Sequence, residues 1–590
     1  MVRRIAIVEK DKCNPQGCGN YLCIRLCPVN RAGDECIVKA DATEQFKAKI
    51  YAETCTGCGI CPKRCPFGAI HIINLPEALD KDPIHRFNQN GFELFSLPTP
   101  IFGKVIGLIG INGIGKSTAI KILSGHIKPN FGDFKSKEFS YEKLIDYFKG
   151  TEAQKFFEGV RDKKIVVSYK PQEVDLIPKH STGKVIDLLK KVDEKSMIAE
   201  ISKKLDIENI LQRDIKDISG GELQRVAIAA CILKKANLYI FDELTSFLDI
   251  KQRMNAAKII KELADENTAV LVIEHDLITL DYMTDLVHVM FGEAGAYGVV
   301  SLPKSSKEGI NEYLDGFLRQ ENMRFRSYPI KFEIRSSIKA KHEKFLTSWN
   351  NVVKTQGDFS LRIKEGGISR NEIVGIVGEN GTGKTTFARI LSGETTPDSG
   401  EIVSKVKISY KPQYIDTEST ELVMDVLHDT VKKYNSELIH PLSITTLLQK
   451  QINQLSGGEL QRVAIAKCLT EQADVYLLDE PSAYLDVEQR LTISKIIVNL
   501  AYTRGISFMI IDHDLLFLDY LSQRLLVFLG TPSYEGNASG PYHMEDGMNM
   551  LLKEMNISFR REMSSGRPRM NKLDSQLDKE QKSSGKLYYG

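Results

Sequence analysis

The chain has 590 residues, 42% hydrophobic and 26% charged, with a formal net charge of +2. That length supports three or four domains, each with its own core, and so even a charge balance excludes a global field drawing the chain onto nucleic acid; a polyanionic partner needs local basic patches. Its apolar runs, such as AVLVIEHD and VYLLDEP, stop at charges well short of the ~20 residues of a membrane span, and MVRRIAIVEKDKC lacks the apolar region of a signal peptide, so a soluble, intracellular protein is expected.

Nine of the eleven cysteines fall between Cys13 and Cys65. Cys55, Cys58, Cys61 and Cys65, with Pro66 after the last, form C-x2-C-x2-C-x3-C-P. This is the bacterial ferredoxin spacing, in which three thiolates hold one cubane and the fourth serves the other cluster. Upstream, Cys23 and Cys27-Pro28 repeat the same tail after Cys13 and Cys18. Crosswise pairing gives two [4Fe–4S] clusters, one on Cys55, Cys58, Cys61 and Cys27, the other on Cys13, Cys18, Cys23 and Cys65. Cys36 is left over, as a free core cysteine or a substitute for a ligand of the first run. A disulfide-stapled module and zinc sites are the alternatives. Reduced cytosolic thiols speak against the first, and zinc ribbons use paired C-x2-C units.

Next, KVIGLIG leads into INGIGKST (Lys104–Thr118), a strand followed by G-x4-G-K-[ST]. In such a loop, here Asn112, Gly113, Gly115, Lys116, Ser117 and Thr118, backbone N–H groups curl round phosphates at a helix N-terminus. The lysine reaches the β/γ-phosphates and Ser117 offers its hydroxyl to Mg²⁺. Further on, ISGGELQRVAIAACIL (218–233) recurs 237 residues later as LSGGELQRVAIAKCLT (455–470), which maps Cys231 onto Cys468 in one apolar helical stripe, as core packing. The strand LYIFDE (238–243) ends in Asp242, placed for the Mg²⁺ shell, and Glu243, placed to polarise the attacking water. The second copy repeats the order: ENGTGKTT with Asn380, Gly381, Gly383, Lys384, Thr385 and Thr386, then VYLLDE (475–480) with Asp479 and Glu480.

With these motifs in place, SGGELQR resembles the signature of ATP-binding-cassette (ABC) ATPases, and SYKPQ (168–172, 409–413) their glutamine loop. SFLD (246–249) and AYLD (483–486) are similar to the D-loop, IEHD and IDHD to the switch-histidine segment. The resemblance implies an α/β fold: two ABC-type P-loop nucleotide-binding domains in tandem behind a ferredoxin-like α+β iron–sulfur domain. It also implies that two cassettes pair head to tail around ATP. Lys116, Gln172, Asp242, Glu243 and His275 then face Ser456, Gly457 and Gly458, while Lys384, Gln413, Asp479, Glu480 and His513 face Ser219, Gly220 and Gly221. Gln172 and Gln413 join Ser117, Thr385, Asp242 and Asp479 as Mg²⁺ ligands. Leu244 stands where Pro481 follows the second glutamate, a departure that removes no ligand.

The thiol-rich head narrows the resemblance to the ribosome-recycling ABC ATPases of the E subfamily, the RNase L inhibitor family. Lys116 and Gln172 are 56 residues apart, Lys384 and Gln413 only 29. The extra segment, about 134–164, has amphipathic spacing broken at Gly150-Thr151, which predicts two short helices, and resembles the family's helix–loop–helix insertion. GFLRQENMRFR (316–326) and ISFRREMSSGRPRMNKLDS (557–575) resemble its two hinges, with Arg324, Arg326, Arg560, Arg561, Arg567 and Arg569 as candidate contacts to rRNA phosphates. Family alignment points to Phe87 or Phe92, and to Trp349 or Phe359, as adenine-stacking rings. The implied domains are 1–75 (iron–sulfur), 76–315 (first cassette), 316–330 (hinge 1), 331–540 (second cassette) and 541–590 (hinge 2 and tail).

The implied function is ATP-driven splitting of ribosomes after termination or rescue. The implied partners are the small ribosomal subunit (rRNA and ribosomal proteins), a release factor and, as further candidates, initiation factors. No membrane is implied, and the chain is expected to be a monomer with an intramolecular cassette dimer. An ATP-gated iron–sulfur electron carrier is the alternative, and a cassette pair serving a separate membrane subunit a third reading.

Overall fold

A computed structural model of the chain describes residues 4–8, 13–40, 47–51, 54–74, 82–88, 91–135, 139–332, 345–403, 406–413, 419–563 and 565–589. The expected boundary at 75/76 and residues 136–138 of the insertion lie outside them. Two compact units form: Met1–Thr99, Leu108–Arg161 and Leu286–Lys331 in one, Pro100–Gly107, Asp162–Asp285 and Phe332–Gly590 in the other. Among the described residues no helix is long and apolar enough to cross a membrane.

In the first unit the two cysteine runs fold alike. Helices Leu22–Leu26 and Ile60–Arg64 each start after a left-handed residue (Tyr21, φ 59°; Gly59, φ 75°) and end on an extended cysteine (Cys27, ψ 122°; Cys65, ψ 113°). Proline at the next position clashes with a helical backbone at the cysteine, so each Cys-Pro pair terminates its helix. Strand Arg4–Val8 runs antiparallel to Ile70–Asn74, and Ile37–Lys39 antiparallel to Ala48–Ile50. Among the described residues, Ala6, Cys27, Cys36, Ile37, Ala48, Cys61 and Ile70 form the buried core between them. So small a core, rich in thiols, needs a further cross-link to be stable.

The same unit contains the predicted insertion helices, Tyr141–Tyr147 and Glu152–Arg161. They close on each other where Phe148, the C-cap of the first, stacks on Phe157 of the second (ring centroids 5.5 Å apart), and within the second Phe156 stands edge-on to Phe157 (5.1 Å). Strands His85–Arg86, Glu93–Phe95, Tyr297–Val300 and Leu286–Glu293 lie in that order. On the last of them His288 is buried, accepting from Thr99 N–H at Nε2 (3.2 Å) and donating from Nδ1 to the Ser301 carbonyl (2.7 Å).

Burial pushes the pKa of His288 down from 6.5 to about 4. Unfolding therefore takes up a proton between these values. The stabilisation is complete above pH 6.5 and is lost as pH falls toward 4, on the order of 3 kcal/mol. The unfolding midpoint should drop over that range, and drop less in His288→Gln, whose amide can make both hydrogen bonds; equal slopes would exclude this histidine as the source.

The second unit contains two parallel cores. Val167–Lys170, Leu238–Asp242 and Ala269–Ile273 are neighbours in that order, the last two buried at every residue, which is why they read as unbroken apolar runs. In the second copy the parallel order is Ile408–Lys411, Val475–Asp479, Ser507–Ile511, Ile373–Gly378, Arg524–Thr531. An antiparallel Glu535–His543 and the strands Phe359–Ile363, Thr347–Gln356 and Gly366–Ile368 extend it. Cys231 and Cys468 are buried at equivalent places, 3.2 Å from the hydroxyls of Ser168 and Ser409, core residues as expected.

Two of the six hinge arginines, Arg326 and Arg567, are buried and so depart from their expected role, and Arg561 and Arg569 are half-buried in ion pairs. Arg567 is fully buried, 3.2 Å from Asp281 of helix Leu277–Met283, and Arg569 donates to both oxygens of the same carboxylate (2.5 and 3.0 Å) and to Glu562 (2.9 Å). Arg561 pairs with Asp519 (3.3 Å), and in the other unit Arg326 is buried against the carbonyls of Tyr313 and Leu314. Arg326 and Arg567 are internal braces, since a desolvated cation of this kind is not free to meet phosphate. Arg560 bonds Asn571 (3.0 Å) and Arg324 lies over the Phe317 ring (5.4 Å).

Candidate functional site

The second phosphate loop turns on Gly383 at φ 94°, where a Cβ would come within 2.9 Å of Leu361 and 3.1 Å of Phe359, so glycine is required twice over. Lys384 Nζ donates to the carbonyls of Gly378 and Glu379 (2.8 and 2.7 Å), arching back over the loop. Helix Lys384–Leu391 begins there, and its unpaired N–H groups and positive end make an anion site. Thr385 Oγ1 donates to Asp479 Oδ2 (3.0 Å), Gln413 Nε2 donates to Glu480 Oε1 (2.7 Å), and His513 Nε2 lies 3.7 Å from that same oxygen.

Six residues from four separate motifs thus converge. Across a cavity of about 1130 Å³ five of them, Lys384, Thr385, Gln413, Asp479 and Glu480, face Ser219, Gly220 and Gly221 of the first copy's signature, with Asn380, Gly381 and Thr386 on the loop side, and His513 lies behind Glu480. The volume suits a nucleotide triphosphate.

Electrostatics at this end of the strand follow from burial. The Glu480 carboxyl is pushed up by burial and by the Asp479 charge, and Gln413 holds it down in part. The His513 imidazole is held well below its usual value by burial, then by the Lys384 and Arg253 charges. A neutral imidazole can take up or release a hydrogen bond as a phosphate charge changes. Glu480 and its counterpart Glu243 both have positive φ (47° and 50°), a strained conformation for a residue with a Cβ.

Several residues beside this cavity were not among the sequence candidates. Asp249 Oδ2 accepts from Asn380 N–H (3.0 Å), Lys251 pairs with Glu379 (2.8 Å), and Arg253 Nη1 donates to Asp276 (3.2 Å) and to the His513 carbonyl (3.4 Å). The two D-loops meet through Phe247 edge-on to Tyr484 (5.9 Å). Recurrence of Asp249 and Arg253 as Asp486 and Arg490 at the same 237-residue offset was the available signal.

In the first copy Gln172 Nε2 donates to Glu243 Oε1 (2.5 Å) and Ser246 Oγ to Oε2 (3.1 Å), and both Asp242 and His275 are buried. Ser456 caps helix Gly457–Thr470, which places Gly457 and Gly458 in its first turn. In the other unit, Lys116 Nζ donates to the carbonyls of Gly110 and Ile111 (both 2.9 Å), the same arch as Lys384. Ser117 and Thr118 stand on the first turn of helix Lys116–Leu123, Asn112 and Gly113 in the loop before it.

The aromatic candidates separate by burial. Trp349 is 0% exposed and edge-on to Phe387 (5.1 Å) inside the second core, so the expectation that it stacks on adenine is corrected: no ring face is open. Phe359 lines the cavity, together with Tyr534, which sequence did not single out because it lies far downstream of the loop. Phe92 packs against Gly115, and Phe87, 49% exposed, stands edge-on to His85 (4.7 Å).

In the thiol head, Cys27, Cys55, Cys58 and Cys61 line one cavity with Ala6 and Ile72, as crosswise pairing expects. Cys36, read from the sequence as a free core cysteine or a substitute for a first-run ligand, is buried in the core and lines this cavity too; Asn30 Oδ1 accepts from the N–H groups of Cys36 and Ile37 (3.1 and 2.9 Å) and holds it there. Burial, with Cys13 and Cys18 adding, pushes the Cys23 thiol up to about 11, and burial with the Cys55 and Cys58 charges pushes Cys61 up to about 12. Such thiols become ligands only with a cationic core to supply the missing charge. Ala6 N–H donates to Cys55 Sγ and Ala69 N–H to Cys65 Sγ (both 3.3 Å), bonds that stabilise cluster-bound sulfur. The donor set fits an iron–sulfur group.

Known proteins share this plan. Residues 101–246 and 361–483 match the family model of the ABC transporter, and residues 3–35 match that of a possible Fer4-like domain in RNase L inhibitor, RLI. An uncharacterised ABC transporter ATP-binding protein of Methanocaldococcus jannaschii is 50% identical over 593 residues, 99% of this chain and 97% of that one. Two solved structures are each 47% identical. The complex of the archaeal ribosomal stalk protein aP1 with the archaeal ribosome recycling factor aABCE1 covers 86% of this chain and 99% of that one, with a TM-score of 0.81. The model of ribosome-bound archaeal Pelota and ABCE1 covers 100% of both, with a TM-score of 0.83.

Proposed function

The chain belongs to the RNase L inhibitor family, the E subfamily of ABC proteins, and on that premise we propose that it is an ATPase that splits ribosomes into subunits after termination or rescue and stays on the small subunit. One observation carries the reading furthest: the first copy's signature faces the second copy's phosphate loop across a single nucleotide-sized cavity. ATP there would join the cassettes, so its binding favours a closed state and its hydrolysis releases it.

In this reading Lys384 and the loop N–H groups hold the phosphates, with Ser219, Gly220 and Gly221 contacting the γ-phosphate from the opposite cassette. Glu480, oriented by Gln413, polarises the attacking water, and His513 meets the γ-phosphate. The first site uses Lys116, Gln172, Asp242, Glu243 and His275 with Ser456, Gly457 and Gly458. Mg²⁺, held by Thr385, Asp479 and Gln413 or by Ser117, Asp242 and Gln172, supplies charge neutralisation on the phosphates when bound. Phe359 carries the adenine of the second site, and Phe87 or Phe92 that of the first.

The head binds two [4Fe–4S] clusters, one on Cys27, Cys55, Cys58 and Cys61 and one on Cys13, Cys18, Cys23 and Cys65. They cross-link a module of about 75 residues that has little core of its own. Its rigidity suits a wedge driven against a release factor by cassette closure. Replacing Cys55 by Ser should remove about half of the iron and sulfide per chain, since a hydroxyl is a poor ligand for the cluster; full iron content would exclude Cys55 as a ligand.

The partners in this reading are the small subunit, a release factor of the termination or rescue type and initiation factors, met in the cytoplasm by a monomer whose two cassettes pair within one chain. The domains follow as 1–75, 76–315, 316–330, 331–540 and 541–590. Sedimentation through sucrose with ribosomes and a nonhydrolysable ATP analogue tests the reading. The chain should co-migrate with free small subunits, and migration with intact ribosomes alone, or with neither, would refute it.

A further inference from the structure

Each catalytic glutamate is gripped by its main chain from two sides, by buried side chains that the scheme above does not use. In the first copy Lys170 Nζ donates to the carbonyls of Asp242 and Glu243 (2.9 and 3.0 Å), and Gln224 Nε2 to those of Glu243 and Leu244 (both 2.8 Å). In the second, Lys411 Nζ donates to the Asp479 carbonyl (2.7 Å) and more loosely to that of Glu480 (3.5 Å), while Gln461 Nε2 donates to the Glu480 carbonyl (2.6 Å). All four side chains are buried, and the arrangement occurs twice. What they hold is the peptide of a residue with positive φ, whose backbone angles set the direction of the carboxylate.

The two prongs have different origins. The lysines stand on strands of the parallel core, Val167–Lys170 and Ile408–Lys411, and provide a fixed reference. The glutamines stand on the signature helices, Gly220–Leu233 and Gly457–Thr470. On the first of these, one turn before Gln224, Ser219, Gly220 and Gly221 line the cavity of the second phosphate loop. A shift of this helix toward a nucleotide there therefore pulls on the peptide of Glu243.

We propose that Gln224 and Gln461 are positioning residues that tie ATP engagement by a signature motif to the catalytic glutamate of the same cassette, and so couple one ATP site to the other. The proposal rests on the assignment of Glu243 and Glu480 as the catalytic glutamates. Coupling of this kind is a free energy shared between sites, and it is measured as non-additivity.

The test uses the full chain in two backgrounds in which the remaining turnover reports on Glu243. Glu480→Gln keeps ATP at the second site, and Lys384→Met empties it. With the second site loaded, adding Gln224→Met, of similar length but without a donor, should lower kcat roughly 10- to 100-fold and leave KM for ATP within about threefold, because it misplaces a catalytic group and removes no ATP contact. With the second site emptied, the same substitution should change kcat by less than about threefold. Equal effects in both backgrounds, or a raised KM at unchanged kcat, would overturn the coupling. Should Gln224→Met fail to fold, Gln461→Met compared in Glu243→Gln and Lys116→Met chains reads the same relation at Glu480, and equal effects there overturn it. Separately, if Glu243→Gln added to Glu480→Gln leaves turnover unchanged, the glutamate assignment fails rather than the coupling.

Discussion

Glu480→Gln is expected to lower ATP turnover at the second site by roughly 10²- to 10⁴-fold, the loss typical of removing a general base, while ATP still binds. The amide keeps the size and buried position of the carboxylate but cannot take a proton from water. Nothing that holds the phosphates is touched, because Lys384, Thr385 and the loop N–H groups lie on other segments. The chain should then accumulate in its closed form on the small subunit, and Glu243→Gln should act likewise at the first site. If both substitutions left turnover and small-subunit retention unchanged, neither residue would be the catalytic base.

Asp281→Ala is expected to destabilise the second unit by about 3–5 kcal/mol, the penalty for leaving buried charge without its partner. Asp281 is the shared counter-ion of Arg567 and Arg569, which come from the C-terminal hairpin Phe559–Arg561 and Pro568–Met570, whereas Asp281 belongs to the first cassette. Burial already pushes the Arg567 pKa down, and Asp281 offsets this in part. The single tryptophan, Trp349, is fully buried in the same unit and reports its unfolding by fluorescence. The midpoint should fall sharply in Asp281→Ala and recover when Arg567 and Arg569 are also replaced by Met; a midpoint equal to that of the parent chain would show that the pair carries no such load.

Much of the site was legible because its chemistry is local. A phosphate loop needs its glycines, lysine and hydroxyl within a few consecutive residues, and both loops fold as their spacing implies. The Cys-Pro pairs end their helices for a reason that two adjacent residues contain. The insertion helices follow from amphipathic spacing and a Gly-Thr break. The cysteines that share a cavity across two runs follow from ferredoxin spacing.

Other assignments depend on what lies opposite a residue, which spacing does not contain. Trp349 and Phe359 are both aromatic and both upstream of the second loop, yet one is in the core and the other at the cavity, because they occupy different strands of one sheet. The hinge arginines read as surface charge until Asp281, Asp519 and Glu562 are brought against them. Cys36 reads as spare until Asn30 holds it beside Cys27, Cys55 and Cys61.

By itself, then, the sequence determined the kinds of chemistry: two phosphate loops, two carboxylate pairs, two signature motifs and a head of thiols, each encoded in a stretch short enough for backbone geometry to dictate. The tertiary structure alone decided the partnerships. Asp249 meets Asn380 across 131 residues of sequence, and the first signature meets the second loop. Such contacts, like the burial that turns hinge arginines into braces, come from desolvation and packing between distant segments, and no local spacing records either.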